Sequence, residues 1–272
     1  AGVNRLSIGA QSFIDKELRA VGRLHDAEET RKQVERARQA GFKNIGLDLI
    51  GGLPYQTQES WETSLQQAAD LRPQHISVYL FEIDEKSRLG SEVLQHTSRY
   101  GADQVPSDDF MADAYERARE FLSESGYRQY EISNFAIPGH ESIHNRKYWR
   151  LAPYLGLGAG AHSYDGVRRW SNEVSADNYI RKLDRLQSPI VESRALTREE
   201  QIEEYFFLGL RQREGVSLQP AQERWNGFRD GNWLLKIARL VGQGLLEEAG
   251  EYVRLREQVY LLSNEVFQEF LA

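Results

Sequence analysis

The sequence of 272 residues contains no cysteine. A chain without thiols forms no disulfide, and its own residues offer no thiolate site for zinc and no cysteine ligand for an iron–sulfur cluster. Long apolar segments are also missing, because no run reaches the roughly 18 residues of a membrane-spanning helix, and the sequence shows no signal-peptide pattern. These absences predict a protein of the cytoplasm.

The sequence also lacks an excess of positive charge. The sequence has 34 lysine and arginine residues against 41 aspartate and glutamate residues, which gives a formal net charge of -7 and a sequence pI near 5.5. Surfaces that bind nucleic acid need a basic patch that displaces counterions from phosphates. We therefore expect no nucleic-acid partner. No Walker loop, GxSxG elbow or HExxH pair occurs, so NTPase, serine-hydrolase and zincin activities lack a supporting motif.

The first part of the chain alternates short apolar segments with longer amphipathic ones. This alternation between Arg5 and Phe81 is typical of a parallel sheet covered by helices, so we predict an α/β fold. Gly41 and Pro73 mark the ends of two helices, and Thr57 is the expected N-cap of the second. The predicted strands cover residues 6–11, 45–50 and 76–80, and the predicted helices cover residues 27–40 and 58–71.

The middle of the chain gives weaker indications. The charged segment 84–107 predicts a long loop or lid. Residues 108–125 carry apolar side chains at helical spacing, which predicts an amphipathic helix that ends at Gly126. Residues 127–135 resemble a strand, and the glycine-rich segment 155–161 is apolar enough to form a last buried strand or its turn.

The sequence changes character after residue 165, where we predict the end of a first domain, residues 1–165. The second domain, residues 166–272, is expected to be mainly helical with a short hairpin about Gly250. Helices followed by a small hairpin resemble a winged-helix unit. Because no basic recognition helix is present, we expect this unit to serve packing or protein contact rather than DNA binding. Its clearest predicted helices cover residues 199–212, residues 232–242 and the segment from Val259.

Three polar residues lie at or near the ends of predicted strands. Gln11 ends the first strand, Arg23 follows it, and Asp48 interrupts an apolar run. Parallel α/β folds build ligand sites at strand ends, and a buried carboxylate needs donors such as two ribose hydroxyl groups. The residues alone give equal weight to Asp48 as the cap of the turn at 51–54. Arg23 is either a bidentate partner of a carboxylate or an ordinary surface residue.

A second cluster combines polar and aromatic residues, namely His144, Asn145, Tyr148 and Trp149. On one helical turn His144 and Tyr148 share a face, so an imidazole would lie beside an aromatic wall. That arrangement suits a flat macrocycle with an iron centre. The alternative is a histidine hydrogen-bonded in a loop, with Tyr148 and Trp149 packed in the core. The residues alone favour this alternative.

The remaining histidines give weaker indications. His162 follows the glycine-rich segment at an expected strand end and is a third candidate. His140 and His162 are candidates for further ligands beside His144, but three histidines this far apart match no compact zinc spacing. We expect His25, His75 and His96 to be ordinary surface or loop residues.

Six segments, taken together in their order and spacing, resemble the HemN and HemW branch of the radical SAM superfamily. They are VNRLSIGAQSF, GRLH, GFKNIGLDLIGGLP, HISVYLFEI, YEISNFAIPGHESIHNRKYW and YLGLGAGAHSY. The resemblance covers nearly the whole chain and implies the C-terminal part of a partial (β/α) barrel followed by the winged-helix-like domain. It also implies S-adenosylmethionine at a [4Fe-4S] cluster held by a CxxxCxxC loop. Because this loop is absent here, we expect the natural chain to begin about ninety or more residues earlier.

The resemblance implies a set of residues around S-adenosylmethionine. Gln11, Arg23 and Asp48 would face this cofactor with their side chains. Glu82 would contact it through its backbone, and His162 would lie near a further contact.

Two branches of the family differ in activity. The HemN branch resembles oxygen-independent coproporphyrinogen III dehydrogenases, which decarboxylate two propionates, whereas the HemW branch binds heme and passes it to acceptor hemoproteins. The HNxxYW motif, here His144, Asn145, Tyr148 and Trp149, belongs to the HemW pattern and is implicated there in heme binding. We therefore expect a heme chaperone, with acceptor hemoproteins as partners and a homodimer as one possible assembly. The dehydrogenase stays the alternative.

Overall fold

The computed structural model describes residues 2–84, 88–95, 97–225 and 232–271. Contacts divide the chain into two compact units, Ala1–Glu141 and Ser142–Ala272. The segment that follows Glu141 belongs to the second unit because it pairs with later strands there, His162 lying opposite Ser171. This division falls earlier in the sequence than the predicted domain boundary after residue 165, which stays a prediction.

The first unit is built around one sheet with helices. Its strands are β1 (Arg5–Gln11), β2 (Asn44–Gly51), β3 (His75–Leu80), β4 (Arg128–Gln129) and β5 (Asn134–Ala136). Its helices are α1 (Asp15–Ala20), α2 (Ala27–Gln39), α3 (Gln58–Asp70), α4 (Arg88–Leu94) and α5 (Asp108–Glu124), and a 3-10 helix covers Arg99–Gln104. The strand order is β1-β2-β3-β5-β4. Strands β1, β2 and β3 are parallel to one another. Strand β5 pairs antiparallel with β3, and β4 pairs antiparallel with β5.

This sheet has one apolar and one polar face because successive strand residues point to opposite sides. On the apolar face Leu47 and Ile76 join buried residues of α2, α3 and α5 in one core. Each large aliphatic side chain buried there contributes about 1.5–3 kcal/mol. The pairing register places Asp48 opposite Ser77 and Ser77 opposite Asn134. These polar residues therefore share the opposite face.

The predicted elements of the first unit are largely confirmed. The three strands and two helices predicted before residue 81 are present, each within one residue at either end. Thr57 caps α3 through a capping box, in which the Thr57 and Ser60 side chains each accept a hydrogen bond from the other residue's backbone. The predicted helix at 108–125 is α5, and its stripe is buried at Ala114, Tyr115, Ala118 and Leu122.

Two predictions for the first unit are wrong. The segment predicted as a loop contains α4 and the 3-10 helix, because Leu89 and Ala102 are buried and outweigh the charged composition around them. Residues 85–87 and 96 of that segment lie outside the described residues. The strand predicted at 127–135 is divided into β4 and β5, because the Glu131 carboxylate accepts the Ser133 N–H at 2.7 Å and folds the backbone between them.

The second unit contains two small antiparallel sheets and several helices. Its strands are β6 (His162–Tyr164), β7 (Arg168–Asn172), β8 (Ile190–Ala195), β9 (Val216–Ser217), β10 (Leu246–Ala249) and β11 (Tyr252–Leu255). Its helices are α6 (Ile143–Trp149), α7 (Ala176–Asp184), α8 (Arg198–Gly209), α9 (Leu218–Arg224), α10 (Trp233–Gly242) and α11 (Ser263–Gln268), with a 3-10 helix at Glu257–Leu262. The sheet orders are β6-β7-β8 and β10-β11-β9.

The α/β class and the winged-helix-like part are confirmed. Helices α8 and α10 match two predicted helices, and the predicted hairpin is β10 and β11 with Gly250 between them. Of the two alternatives for residues 155–161, the buried strand is wrong, because Leu155 and Leu157 are 68% and 82% exposed; the segment forms the turn that leads into β6. The strands β7 and β8 were not predicted.

Candidate functional site

Strand β1 ends in a bulge that sets the direction of Gln11. The pairing with β2 shifts register between Ile8 and Gln11, and Gln11 has a φ of 65°. This left-handed conformation is uncommon outside glycine, and bulges often re-aim a side chain beside a site. Gln11 is buried, and its Oε1 accepts a hydrogen bond from Arg23 Nη2 at 3.0 Å. The structure therefore brings Gln11 and Arg23 together.

Gly9 leaves room for the Gln11 carboxamide. A Cβ placed on Gly9 would lie 2.9 Å from Gln11 Nε2. A larger residue at position 9 would thus push the carboxamide away from its observed place. This role of Gly9 cannot be read from the sequence, because the bulge brings the two residues together and no local pattern reveals it.

Asp48 lies half-buried on the polar face of β2. Both of its carboxylate oxygens lie 3.2 Å from the Ser7 hydroxyl on β1, which donates to them. Ser7 was not predicted as a site residue, although its position in the alternating pattern of β1 places it on this face. One hydroxyl leaves most of the lone pairs of a carboxylate for other donors.

The turn at 51–54 is capped by Gln56. Its Oε1 accepts the N–H of Gly52 at 2.6 Å, and its Nε2 donates to the Ile50 carbonyl at 3.2 Å. The φ of Gly52 is +91°, and an added Cβ would meet Met111 at 2.8 Å, so this turn requires glycine. Gln56 thus performs the capping that was the alternative role for Asp48.

Glu82 follows the end of β3. The preceding N–H, that of Phe81, donates to the Gly51 carbonyl at 2.8 Å, which keeps this segment alongside the end of β2. Glu82 is exposed. Its position is therefore at the C-terminal ends of the parallel strands, where Gln11 also lies.

In the second unit α6 carries the HNxxYW residues. Ser142 caps this helix by accepting the N–H of Asn145 at 3.3 Å. His144 is exposed, and its ring meets Tyr148 edge-on with the centroids 4.9 Å apart. Such edge-to-face pairs are favourable by about 0.5–1.5 kcal/mol. The helix thus presents an imidazole beside an aromatic ring, as the spacing predicted.

The aromatic contacts continue from Tyr148 into residues that the sequence analysis missed. Tyr148 packs edge-on against Tyr154 at 4.6 Å between centroids. The Tyr154 hydroxyl accepts a hydrogen bond from Arg169 Nη1 at 3.1 Å, and Arg169 also pairs with Glu204 at 2.7 Å. The hydrogen bond to Glu204 raises the pKa of Arg169 above its ordinary value. This connected set fixes the ring on which His144 rests.

Trp149 lies half-buried at the end of α6. The Arg211 guanidinium carbon is 4.7 Å from the centre of its ring, a cation–π contact. Its indole Nε1 is buried and has no hydrogen-bond partner among the described residues. Trp149 therefore acts partly as the core residue that the alternative interpretation proposed, while His144 does not.

His162 is exposed at the start of β6. The glycine-rich loop before it is held by Asn172, whose Nδ2 donates to the carbonyls of Gly156 and Gly158 at 3.3 and 3.0 Å. His162 and the α6 residues belong to the second unit, whereas Gln11, Arg23, Asp48 and Glu82 belong to the first.

The prediction that His75 is an ordinary surface residue is wrong. His75 is only 2% exposed in β3, and its Nε2 lies 2.8 Å from the Tyr130 hydroxyl. The burial of His75 could not be predicted from the sequence, because one polar residue at the start of an apolar strand resembles a strand boundary. His25 is half-buried near the Ala10 carbonyl, and His96 lies outside the described residues.

Two kinds of feature are absent from the described residues. No group of three or more histidine, aspartate or glutamate side chains there is arranged to hold a metal ion. None of the described helices is long and apolar enough to cross a membrane.

Comparison with known proteins gives matches along the whole chain. Residues 1–68 match the radical SAM superfamily model, and residues 196–262 match the HemN C-terminal domain model. Heme chaperone HemW of Bacillus subtilis (strain 168) is 40% identical over 271 residues, which cover 100% of this chain and 70% of that protein. Heme chaperone HemW of Escherichia coli (strain K12) is 31% identical, with 100% and 69% covered.

A solved structure is similar as well. Coproporphyrinogen III oxidase (HemN) from Escherichia coli, described as a radical SAM enzyme, superposes with a TM-score of 0.80 at 25% identity. The match covers 99% of this chain and 64% of that chain. The present chain thus spans about two thirds of the length of the proteins it matches.

Proposed function

Because this chain belongs to the HemW family within the radical SAM superfamily, we propose that it binds heme and delivers it to acceptor hemoproteins. The observation that supports this proposal is the exposed His144 imidazole packed edge-on against Tyr148. A histidine is a common axial ligand of heme iron. Ile143, which is 74% exposed, adds an apolar side chain next to His144.

The exposure of this site suits transfer. A macrocycle enclosed in a core would leave only if the core opened, whereas a heme bound at the surface can pass directly to an acceptor. His144 would hold the iron, Tyr148 and Asn145 would flank it, and Trp149 would anchor the helix. The connected residues Tyr154 and Arg169 support Tyr148 from behind.

We propose S-adenosylmethionine as the ligand of the first unit. The Asp48 carboxylate has acceptor capacity left for two ribose hydroxyl groups, and the Arg23 guanidinium has further N–H donors for the carboxylate of the methionine part. The Gln11 carboxamide is oriented by Arg23 and by the bulge. Glu82 would contribute through its backbone, and His162 stays a predicted further contact. When bound, this cofactor supplies an activated sulfonium centre.

The [4Fe-4S] cluster implied by the family finds no ligands in this sequence. Cysteine is absent, and cysteine thiolates are the usual ligands of such a cluster. The roles proposed for Asp48 and His144 involve binding and orientation only, and neither requires a cluster.

The alternative function is that of the structural neighbour, oxidation of coproporphyrinogen III, and the shared fold favours it. The two functions differ in what they recognise. Coordination by His144 requires the iron of heme, whereas an enzyme that acts on propionates recognises an iron-free tetrapyrrole. We therefore expect hemin to bind at least about tenfold more tightly than iron-free coproporphyrin, because a metal–ligand bond adds more than about 1.4 kcal/mol.

Titration of hemin into the protein is expected to give a Soret band shifted from that of free hemin. His144→Ala should abolish the shift because the imidazole that coordinates the iron is gone. His162→Ala, which removes another exposed histidine of the same unit, is the matched control and should leave the spectrum unchanged. Identical spectra for the wild-type protein and His144→Ala would contradict the assignment.

Asp48→Ala is expected to weaken S-adenosylmethionine binding about tenfold or more, since hydrogen bonds to a charged acceptor contribute about 1.5–3 kcal/mol. Isothermal titration calorimetry measures this affinity. Asp70→Ala removes an exposed aspartate at the end of α3 and is the control. Equal affinities for the wild-type protein and Asp48→Ala would rule out the ribose contact without touching the heme proposal.

A further inference from the structure

Helix α6 and the residue after it concentrate positive charge in an acidic chain. Residues 142–150 contain Arg146, Lys147 and Arg150 and no acidic residue, whereas the whole sequence has a formal net charge of -7. Within the described part of the chain, the Glu214 carboxylate pairs with two of these cations. It lies 3.9 Å from Arg146 Nη2 and 2.6 Å from Arg150 Nη2. The two arginines therefore share one negative charge, and this segment keeps an excess of cations.

Lys147 differs from both arginines. It is exposed, and its side chain makes no hydrogen bond or ion pair with any residue that the structure describes. Residues three or four apart are neighbours on the surface of a helix. Lys147 follows His144 by three residues and Ile143 by four, so it shares their face, whereas Arg146 is turned towards Glu214. An unpaired ammonium thus lies beside the imidazole proposed to hold heme iron.

The exposed face of α6 has an apolar end and a cationic end. Ile143 is 74% exposed at the first position of the helix. Lys147 lies about 6 Å further along the helix axis, and His144 lies between the two. Heme is divided in the same way, because both propionates leave one edge of the ring and the opposite edge carries only apolar groups. Carboxylic acids of this kind are ionised at neutral pH.

We propose that Lys147 binds a propionate of heme and so fixes the orientation of the ring on α6. This inference rests on the proposed function and adds an ionic contact to the coordination by His144. A ring whose iron is bound by His144 then directs its propionate edge to Lys147 and its apolar edge to Ile143. The lysine ammonium is a point charge on a flexible four-carbon stem, so it reaches a carboxylate beside the ring without a fixed geometry.

The neighbouring arginines are less suited to this contact. Arg146 and Arg150 both pair with Glu214, so a propionate would have to compete with a carboxylate of the protein itself. Lys147 gives up only water when it binds the propionate. The pairing within the protein therefore singles out Lys147 among the three cations.

Hemin and hemin dimethyl ester, in which both propionates are methylated, test this proposal when each is titrated into the whole chain. Lys147→Gln should raise the dissociation constant for hemin about fivefold, which is the effect of one exposed ion pair. The ester offers no carboxylate, so Lys147→Gln and the wild-type protein should bind it equally. Lys147→Arg keeps a cation and should bind hemin within about twofold of the wild-type affinity.

The absorbance spectrum separates this contact from iron coordination. At saturation Lys147→Gln should show the same shifted Soret band as the wild-type protein, because His144 still binds the iron. Lys182→Gln removes a lysine of the same unit that already pairs with Glu173 at 3.3 Å, and it is the matched control. It should leave the affinity for hemin unchanged.

Three results would overturn the inference. Equal hemin affinities of Lys147→Gln and the wild-type protein, both with a shifted Soret band, would refute the propionate contact and leave the heme proposal intact. An equal loss of affinity for hemin and for its ester would mean that Lys147 supports the helix rather than a propionate. A wild-type protein that gives no shifted band would refute the heme proposal together with this inference.

Discussion

Replacement of Glu17 by leucine is expected to lower the free energy of unfolding of the first unit by about 3 kcal/mol. Glu17 is fully buried in α1. Its Oε2 accepts hydrogen bonds from Ser12 Oγ at 2.6 Å and Gln56 Nε2 at 3.1 Å. Its Oε1 accepts one from Ser60 Oγ at 2.5 Å. Because a buried donor without an acceptor costs about 1–3 kcal/mol, the loss of this carboxylate outweighs the gain from an apolar side chain.

Urea denaturation followed by circular dichroism measures the loss, and hydrogen exchange of β1 locates it in the first unit. Glu17→Gln keeps an acceptor oxygen and should cost less than Glu17→Leu. Glu35→Leu removes an exposed glutamate of α2 and should change stability by no more than about 0.5 kcal/mol. If Glu17→Leu behaves like Glu35→Leu, the hydrogen bonds to Glu17 contribute nothing net.

This network also bears on the candidate cofactor site. Gln56 donates to Glu17 with the same carboxamide whose oxygen holds the Gly52 N–H. Ser12, which donates to Glu17, follows Gln11 directly in the chain. The carboxylate therefore ties the end of β1 to the turn after β2. We expect Glu17→Leu to disturb the orientation of Gln11 as well as to lower stability.

Local patterns were sufficient to predict the core of the first unit. The strands β1, β2 and β3 are short apolar runs, and the Thr57 cap with Ser60 depends on residues three apart. Asp48 could be identified because a carboxylate inside an apolar run is conspicuous. Ser7 could not be paired with Asp48 from the sequence, since that contact depends on the register between two strands.

The structural features that could not be predicted from the sequence lack an apolar pattern of their own. Strand β7 carries mainly polar or charged residues, and β8 is half polar and exposed along its whole length, so both resemble loops in the sequence. The positive φ of Gln11 arises from the bulge at the end of β1, and nothing in the residues around it requires glycine or asparagine there. Tertiary pairing decides these features, and single-sequence periodicity does not record it.

A fall in pH from 8 to 5 is expected to lower the free energy of unfolding by about 2 kcal/mol through His75 alone. Burial, with a smaller contribution from the positive charge of Arg5, lowers the pKa of His75 to about 3. The unfolded histidine has a pKa near 6.5. Between these two values the unfolded chain binds a proton that the folded chain excludes. The stability contributed by neutral His75 is thus complete above about pH 6.5 and is lost as the pH falls towards 3.

His75→Gln isolates the contribution of His75 to the pH dependence of stability, because it removes the titrating group and retains a polar side chain that can bond to the Tyr130 hydroxyl. Stability curves of the variant should be flatter than those of the wild-type protein between pH 8 and pH 5 by about 2 kcal/mol. Carboxylates that titrate below pH 5 affect both proteins equally, so the difference between the curves reports His75. Parallel curves would mean that His75 gains a proton in the folded protein, and that the polar face of the sheet admits water beside Tyr130.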